Sequence, residues 1–363
     1  MSFLDHHFKD KKVLITGHTG FKGSWLSAWL LELGANIVGV SLSPSTSPSH
    51  FSLAGISNNI EDIRSDIRDI EALKKIFLRV QPDFVFHLAA QAIVRKSYDD
   101  PLETWHTNLI GTINVLESLR LLDKPCATVL ITSDKCYENV EWLWGYREID
   151  RLGGIDPYSA SKAAAELAIK SYINSYFPIK SNKVRIGSAR AGNVIGGGDW
   201  SSDRIIPDCV RAWLLNYNLE LRNPNSTRPW QHVLEPLSGY LIQAIKLSNK
   251  EYLHGESFNF GPTLQSNQSV LDLVKEICKH WDKLNWNDTS KTIDNLYESN
   301  LLMLNCDKAY HRLNWHPVLN FEQTVKMTAE WYKSFYKDNS ILTHSQIKEY
   351  CFLANKKGLE WAL

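Results

Sequence analysis

Short apolar runs alternate with stretches of helical spacing through the first half of the chain. Lys12-Val-Leu-Ile-Thr16 reads as a buried strand, followed by a glycine turn and an apolar helix from Ser24 to Leu33 closed by Gly34. Asn36–Val40 predicts a second strand and Ile60–Asp66 a weaker third, followed by a polar helix from Asp69 to Arg79. Asp83–Leu88 and Ala127–Ser133 predict the fourth and fifth strands, with helical spacing over Pro101–Leu122 between them. Asp156-Pro157 opens a further helix, with Asp as N-cap and Pro at the first helical position. It runs to Tyr176, and Val184–Ala191 is the sixth strand. Strands that each carry a helix point to βαβ units and an α/β, doubly wound parallel sheet of the Rossmann type.

Beyond Asn193 glycine, tryptophan and proline become frequent and the strand–helix rhythm ends. We therefore divide the chain into a dinucleotide domain over 1–192 and a smaller C-terminal substrate lobe over 193–230 and 262–330. Residues 231–261 are expected to return to the sheet, leaving a C-terminal tail over 331–363.

Composition narrows the function. Of 363 residues, 40 Lys+Arg balance 40 Asp+Glu. With no basic run, neither nucleic acid nor an anionic membrane surface is expected as a partner. The most apolar stretch, Trp25–Leu33, is too short to span a bilayer and contains Glu32. The N-terminus lacks the apolar centre of a signal peptide. Six scattered cysteines without a CxxC read as free thiols in a reducing cytoplasm, with no metal site expected.

Three motifs carry chemistry. Gly17, Gly20 and Gly23 have GxxGxxG spacing directly after a strand and at the start of a helix. They allow a tight turn, backbone approach to a pyrophosphate, and close helix–strand packing, so a dinucleotide is the expected ligand. The acidic residue expected after the second strand is replaced by Val40-Ser-Leu-Ser43, and this position does not separate NAD from NADP. Asp66 reads either as an adenine acceptor or as the N-cap of a helix from Ile67. Tyr158-Ser-Ala-Ser-Lys162 puts a phenol and an amine on one helical face, where the ammonium favours the phenolate and lowers its pKa towards neutrality. Such a phenol can take a proton from a sugar hydroxyl. Thr132-Ser-Asp-Lys135, at the carboxyl end of the fifth strand, reads as an acid/base cluster or as ordinary turn chemistry.

Taken together with Asp66-Ile67, His87-Leu-Ala-Ala90, Asn108 in TNLIGT and Arg190-Ala-Gly-Asn193, these motifs resemble the extended short-chain dehydrogenase/reductase family over residues 10–330. Within it the chain is similar to the nucleotide-sugar 4,6-dehydratases, through SDKCYEN (133–139), GYREIDRLGGIDPYSASK (145–162), RAGNVIGGGDW (190–200) and RPWQHVLEPLSGY (228–240). The resemblance implies NAD held by Gly17, Thr19, Gly20, Phe21, Lys22, Gly23, Asp66, Ile67, Leu88, Ala89, Gln91, Asn108, Thr132, Tyr158 and Lys162. It implies CDP-glucose as the substrate, converted to CDP-4-keto-6-deoxyglucose and water on the way to a deoxysugar of an O-antigen type polysaccharide.

In the implied reaction Tyr158, aided by Ser133 and Lys162, deprotonates O4 as hydride passes to the cofactor. Water is lost across C5 and C6, and hydride returns to C6. The related dTDP-glucose enzymes carry Asp-Glu where this chain has Asp134-Lys135. Asp134 as acid with Lys135 as base, and the reverse, both stay open. Asn193, Arg204 and Arg228 are implied for the nucleotide diphosphate, with a surface ion pair as the alternative for the arginines. Trp200, Trp230 and His232 read either as lining of the base pocket or as core. By analogy, the helices at 102–122 and 157–176 pair across a homodimer. A nucleotide-sugar 4-epimerase, a dehydratase for another nucleotide, and a non-catalytic dinucleotide-binding regulator are the competing readings. An epimerase has no use for Asp134-Lys135, and a regulator can dispense with Tyr158 and Lys162.

Overall fold

Parallel strands buried on both faces need an apolar side chain at every position, and the first run supplies them. Leu14 faces one core while Val13 and Ile15 face the other. Val85 divides in the same way from Phe84 and Phe86, and Leu130 from Val129 and Ile131. The computed structural model describes residues 3–179, 183–263, 267–282, 284–290 and 301–363. Residues 1–2 and 180–182 of the expected dinucleotide domain, and 264–266, 283 and 291–300 of the expected lobe, lie outside the described residues.

The central sheet contains β1 (Lys12–Thr16), β2 (Asn36–Ser41), β3 (Glu61–Arg64), β4 (Phe84–His87), β5 (Cys126–Ile131) and β6 (Val184–Ala191). A seventh strand, Ser257–Phe260, completes it. Their order is Ser257–Phe260, β6, β5, β4, β1, β2, β3, and every pairing is parallel. The chain leaves β1 towards β2 on one side and later returns to β4 on the other. That reversal opens a crevice at the carboxyl ends of β1 and β4, where open α/β sheets bind ligands.

Sequence signals set the helices around the crevice. Asp156 accepts the Ser159 amide at 2.9 Å and starts the Pro157–Tyr176 helix at its proline. The span predicted over Pro101–Leu122 forms two α-helical pieces, Pro101–Trp105 and Gly111–Leu119, joined by a π-helical turn over His106–Ile110. The Leu234–Asn249 helix packs on β5 and β6. The segments expected to form the lobe contain the short pairs Leu219–Leu221 with Trp286–Asp288, and Thr227–Pro229 with Asn267–Ser269.

The segment expected as a tail is part of the core. The boundary at residue 331 falls inside the helix Phe321–Asp338. The following helix, Thr343–Lys356, packs on Phe21–Glu32 of the dinucleotide domain. Trp331, Tyr332, Tyr350 and Trp361 are all buried. Four large aromatics need more apolar cover than an appendage provides.

Candidate active site

The glycine loop shows why only glycine serves at its ends. Gly17 has φ +78°, and a Cβ there would lie 2.6 Å from the Ala89 amide nitrogen. A Cβ on Gly23 would lie 2.1 Å from the Gly17 carbonyl oxygen. Gly20 differs, with 3.4 Å to its nearest atom, because it borders the cleft. It is the N-cap of Phe21–Glu32 without a side-chain cap, so the first-turn N–H groups point towards the cleft. A helix N-terminus of this kind favours an anion, and the loop fits the pyrophosphate of a dinucleotide. Ser41, Ser43 and Ser45 line the same end, offering hydroxyls where a carboxylate was expected. Asp66 lines it too, bound by Arg68 at 2.6 and 2.9 Å. Asp66 is not the helix cap: the next helix begins at Ile70, and Asp69 caps it by accepting the Ala72 amide.

The cleft, of about 670 Å³, runs from this loop to the lobe. Gly17, Thr19, Gly20, Phe21, Lys22, Gly23, Asp66, Ile67, Leu88, Ala89, Gln91 and Thr132 all reach its wall. So do Ser133, Asp134, Lys135, Tyr158, Lys162, Asn193, Arg204 and Arg228. Asn108 is the exception. It lies in the π-helical turn behind the wall, and its amide is committed to Gln91 at 2.9 and 3.0 Å and to Ser161 at 2.9 Å. It therefore positions Gln91 and the Tyr158 helix, where direct contact with the cofactor was expected.

The end of β5 and the start of the Pro157–Tyr176 helix form the reactive corner. Ser133 opens a 3-10 turn over Asp134–Cys136, and its Oγ donates to Asp134 Oδ1 at 3.0 Å. A side-chain hydrogen bond also joins Ser133 to Tyr158. Asp134 is 3% exposed, and its Oδ2 has no hydrogen-bond partner among the described residues. A Cβ on Gly192 would lie 2.9 Å from that oxygen, so glycine leaves the carboxyl its room. Burial pushes the Asp134 carboxyl up, against the opposing pull of Lys135, the Ser133 hydrogen bond, Arg228 and Lys22.

The expected low tyrosine pKa is not found in the protein alone. Burial pushes the Tyr158 phenol up to about 12, and the Ser133 hydrogen bond only partly opposes it. Burial also lowers Lys162 to about 8, so the amine that was to favour the phenolate is itself pushed towards neutrality. Lys22, from the glycine loop, reaches Tyr240 Oη at 3.4 Å and is lowered to about 8 by burial and by Arg204 and Lys162.

Towards the lobe, Arg204 lines the cleft while pairing with Asp199 at 3.1 Å, so the two readings of that residue coexist. Arg228 is 3% exposed and is no surface ion pair. Trp230 lines the cleft and donates to the Gln268 carbonyl at 3.0 Å. Trp200 packs among Trp331, Tyr332 and Phe335 instead. His232 is buried edge-on to Trp25. Arg95 and Arg222, on two different segments, also reach the cleft wall and face Asp203 at 3.7 and 3.5 Å. No sequence motif marked either of them.

Residues 14–328 match the family model described as GDP-mannose 4,6 dehydratase. The CDP-glucose 4,6-dehydratase of Salmonella typhimurium is 43% identical over 350 residues, covering 94% of this chain and 96% of that protein. Among solved structures, Pal from Bacillus thuringiensis superposes with a TM-score of 0.76 at 25% identity, covering 89% of this chain and 99% of Pal. The dTDP-glucose 4,6-dehydratase of Bacillus anthracis, solved with NAD, has the same fold, with a TM-score of 0.72 at 21% identity. That match covers 89% of this chain and 97% of the Bacillus anthracis chain.

Proposed function

The chain belongs to the GDP-mannose 4,6 dehydratase family, and from that premise we propose that it is an NAD-dependent CDP-glucose 4,6-dehydratase. It converts CDP-glucose to CDP-4-keto-6-deoxyglucose and water. The observation that carries this reading is the buried Asp134 carboxyl, pushed up in pKa and lying between Ser133 and Lys135 at the cleft wall. Oxidation and return at C4 alone require only Tyr158, Ser133 and Lys162. A carboxyl whose pKa is raised, beside an amine, offers the acid and base that loss of a hydroxyl requires in addition.

The glycine loop and the first turn of Phe21–Glu32 hold the pyrophosphate of NAD, and the serines and Asp66 face its adenosine end. When bound, NAD+ supplies an acceptor for the C4 hydride and, once reduced, a donor for C6. Tyr158 takes the O4 proton, and Ser133 holds the same oxygen. Lys162, one helical turn from Tyr158, favours the phenolate, an effect needed most because burial opposes it. The 4-keto group acidifies C5. Lys135, acting as the free amine, takes the C5 proton, Asp134 gives its proton to the departing C6 hydroxyl, and the proton held by Lys135 returns to C5 when C6 is reduced; the raised Asp134 carboxyl supports this division over its reverse. Asn193, Arg204 and Arg228 hold the nucleotide diphosphate, for which a guanidinium fork is well shaped.

Two helices of the dinucleotide domain support a homodimer in which they pair with their copies. Leu102 and Leu167 are 69% and 57% exposed on the adjacent Pro101–Trp105 and Pro157–Tyr176 helices. No described helix is long and apolar enough to cross a membrane. We place the enzyme in the cytoplasm, ahead of deoxysugar assembly for a surface polysaccharide.

The test is incubation with CDP-glucose, dTDP-glucose and UDP-glucose in heavy water, read by mass spectrometry. Loss of water with solvent deuterium at C5, for CDP-glucose alone, is expected. Conversion to the galacto sugar without loss of water would replace the dehydratase by an epimerase.

A further inference from the structure

Directly behind the reactive corner lies a carboxylate to which neither the glycine loop nor the tyrosine motif assigns a part. Glu166 follows Lys162 by one turn on the Pro157–Tyr176 helix, on the buried face. Its Oε1 accepts from Thr132 Oγ1 at 2.5 Å. Its Oε2 accepts from Arg190 Nη2 at 2.7 Å and Ser188 Oγ at 3.0 Å. Both members of the Glu166–Arg190 pair are 3% exposed. Arg190 then donates from Nη1 to Tyr137 Oη at 2.8 Å, and Tyr137 donates to Asn259 Oδ1 at 2.7 Å.

Three members of this network sit close in sequence to a reacting or binding group. Thr132 precedes Ser133, Asp134 and Lys135. Tyr137 closes the turn that carries them, and Arg190 precedes Gly192 and Asn193. Burying such a pair is expensive, and an apolar pair of equal volume would stabilise the fold about as well. Only a charge with fixed acceptor directions sets the end of β5, β6 and the tyrosine helix against one another at hydrogen-bond precision.

We propose that Glu166, held by Arg190, is a positioning residue that fixes Ser133 and the Asp134–Lys135 turn against Tyr158 and Lys162 for proton transfer. The inference rests on the dehydratase reading above for the identity of the steps. Burial alone would raise the Glu166 carboxyl, but the Arg190 charge and the hydrogen bonds from Arg190, Thr132 and Ser188 bring it below its ordinary value, so it is ionised. Its charge also supports the Lys162 ammonium one turn away.

Thr132→Val removes one donor and keeps the Glu166–Arg190 pair, Thr132→Ser keeps the hydroxyl, and Glu166→Gln removes the charge. A displacement of about 1 Å in a reacting pair costs about a hundred-fold in rate. Thr132→Val is therefore expected to lose about ten- to a hundred-fold in kcat with KM for the nucleotide sugar within about two-fold. The isotope effect with substrate deuterated at C4 should grow, and crystals should show a longer Ser133 Oγ to Tyr158 Oη separation. Thr132→Ser should restore most of kcat. Glu166→Gln should move the Lys162-dependent limb of the pH–rate profile to lower pH, because the ammonium loses a negative neighbour.

Activity that falls only in step with the folded fraction, with isotope effect and pH limb unchanged, would reduce the pair to a structural element. Should Glu166→Gln fail to fold, Thr132→Val decides alone. If the wild-type chain oxidises none of the three sugars the dehydratase reading falls, while the Ser133–Tyr158 separation in Thr132→Val crystals still decides the positioning role.

Discussion

Glu235 joins three parts of the chain, and burial moves its titration to about pH 7. It lies in the Leu234–Asn249 helix and is 1% exposed. Its carboxyl accepts from the Val318 amide at 3.0 Å, the Leu319 amide at 2.6 Å and Tyr350 Oη at 2.8 Å. The first two donors precede the Phe321–Asp338 helix, and the third belongs to Thr343–Lys356. Burial outweighs these donors and the Lys357 charge, and raises the carboxyl from 4.5 to about 7. A raised acid binds its proton in the native state over a window where the unfolded chain has released it. The stability this contributes is full below pH 4.5 and is lost as the pH rises through about 7. The full window corresponds to about 3 kcal/mol, of which about 2 kcal/mol is lost between about pH 5 and pH 7.5.

The wild-type curve alone does not isolate this loss. His50, His87 and His232 are each pushed down to about 3 by burial, and they change stability in the opposite direction. Their folded pKa lies below the unfolded one, so they add stability as the pH rises towards 6.5. The difference between wild type and Glu235→Gln removes them. Gln keeps an acceptor for Val318 and Leu319 and can donate to Tyr350, but does not titrate. Urea unfolding of both proteins across this range, followed by tryptophan fluorescence, should show wild type losing about 2 kcal/mol relative to the variant as the pH rises. A difference that stays constant with pH would refute the assignment of a raised carboxyl to Glu235.

Tyr158→Phe should lose about a thousand-fold or more in turnover with an unchanged circular dichroism spectrum, since in the proposed reaction the phenol carries the O4 proton transfer. Lys135→Ala should oxidise C4 and stop before loss of water; absorbance of reduced nicotinamide that builds up without 4-keto-6-deoxy product measures this, and normal product formation would remove Lys135 from the chemistry. Gly23→Ala places a methyl 2.1 Å from the Gly17 carbonyl oxygen. It should cost about 1–3 kcal/mol of stability and abolish NAD binding, measured by thermal unfolding and by titration calorimetry.

The strands that frame the cleft and the start of the tyrosine helix were legible because each has a local cause, whereas the helix expected from Ser24 begins one turn earlier, at Phe21. Unbroken apolar runs identify β1, β4 and β5, and the Asp156-Pro157 pair identifies the helix that carries Tyr158 and Lys162. The glycine loop was legible for the same reason: its turn and its close packing allow no side chain at residues 17 and 23. Asp66 read equally well as cap or ligand, since both roles need a carboxylate at the end of a strand. Only the observed helix start at Ile70 separates them.

What the sequence alone determined was the order of elements, the dinucleotide turn and the chemical types at the reactive corner. Spacing along one strand or one helix is enough for these. The tertiary structure decided what depends on residues distant in sequence. It made residues 331–363 part of the core, turned Asn108 away from the cleft, and brought Glu166 to Thr132 and Arg190. It also reversed the expected direction of the Tyr158 shift. The i, i+4 lysine was visible in the sequence, but burial acts on phenol and ammonium alike, and burial is a property of everything packed around them.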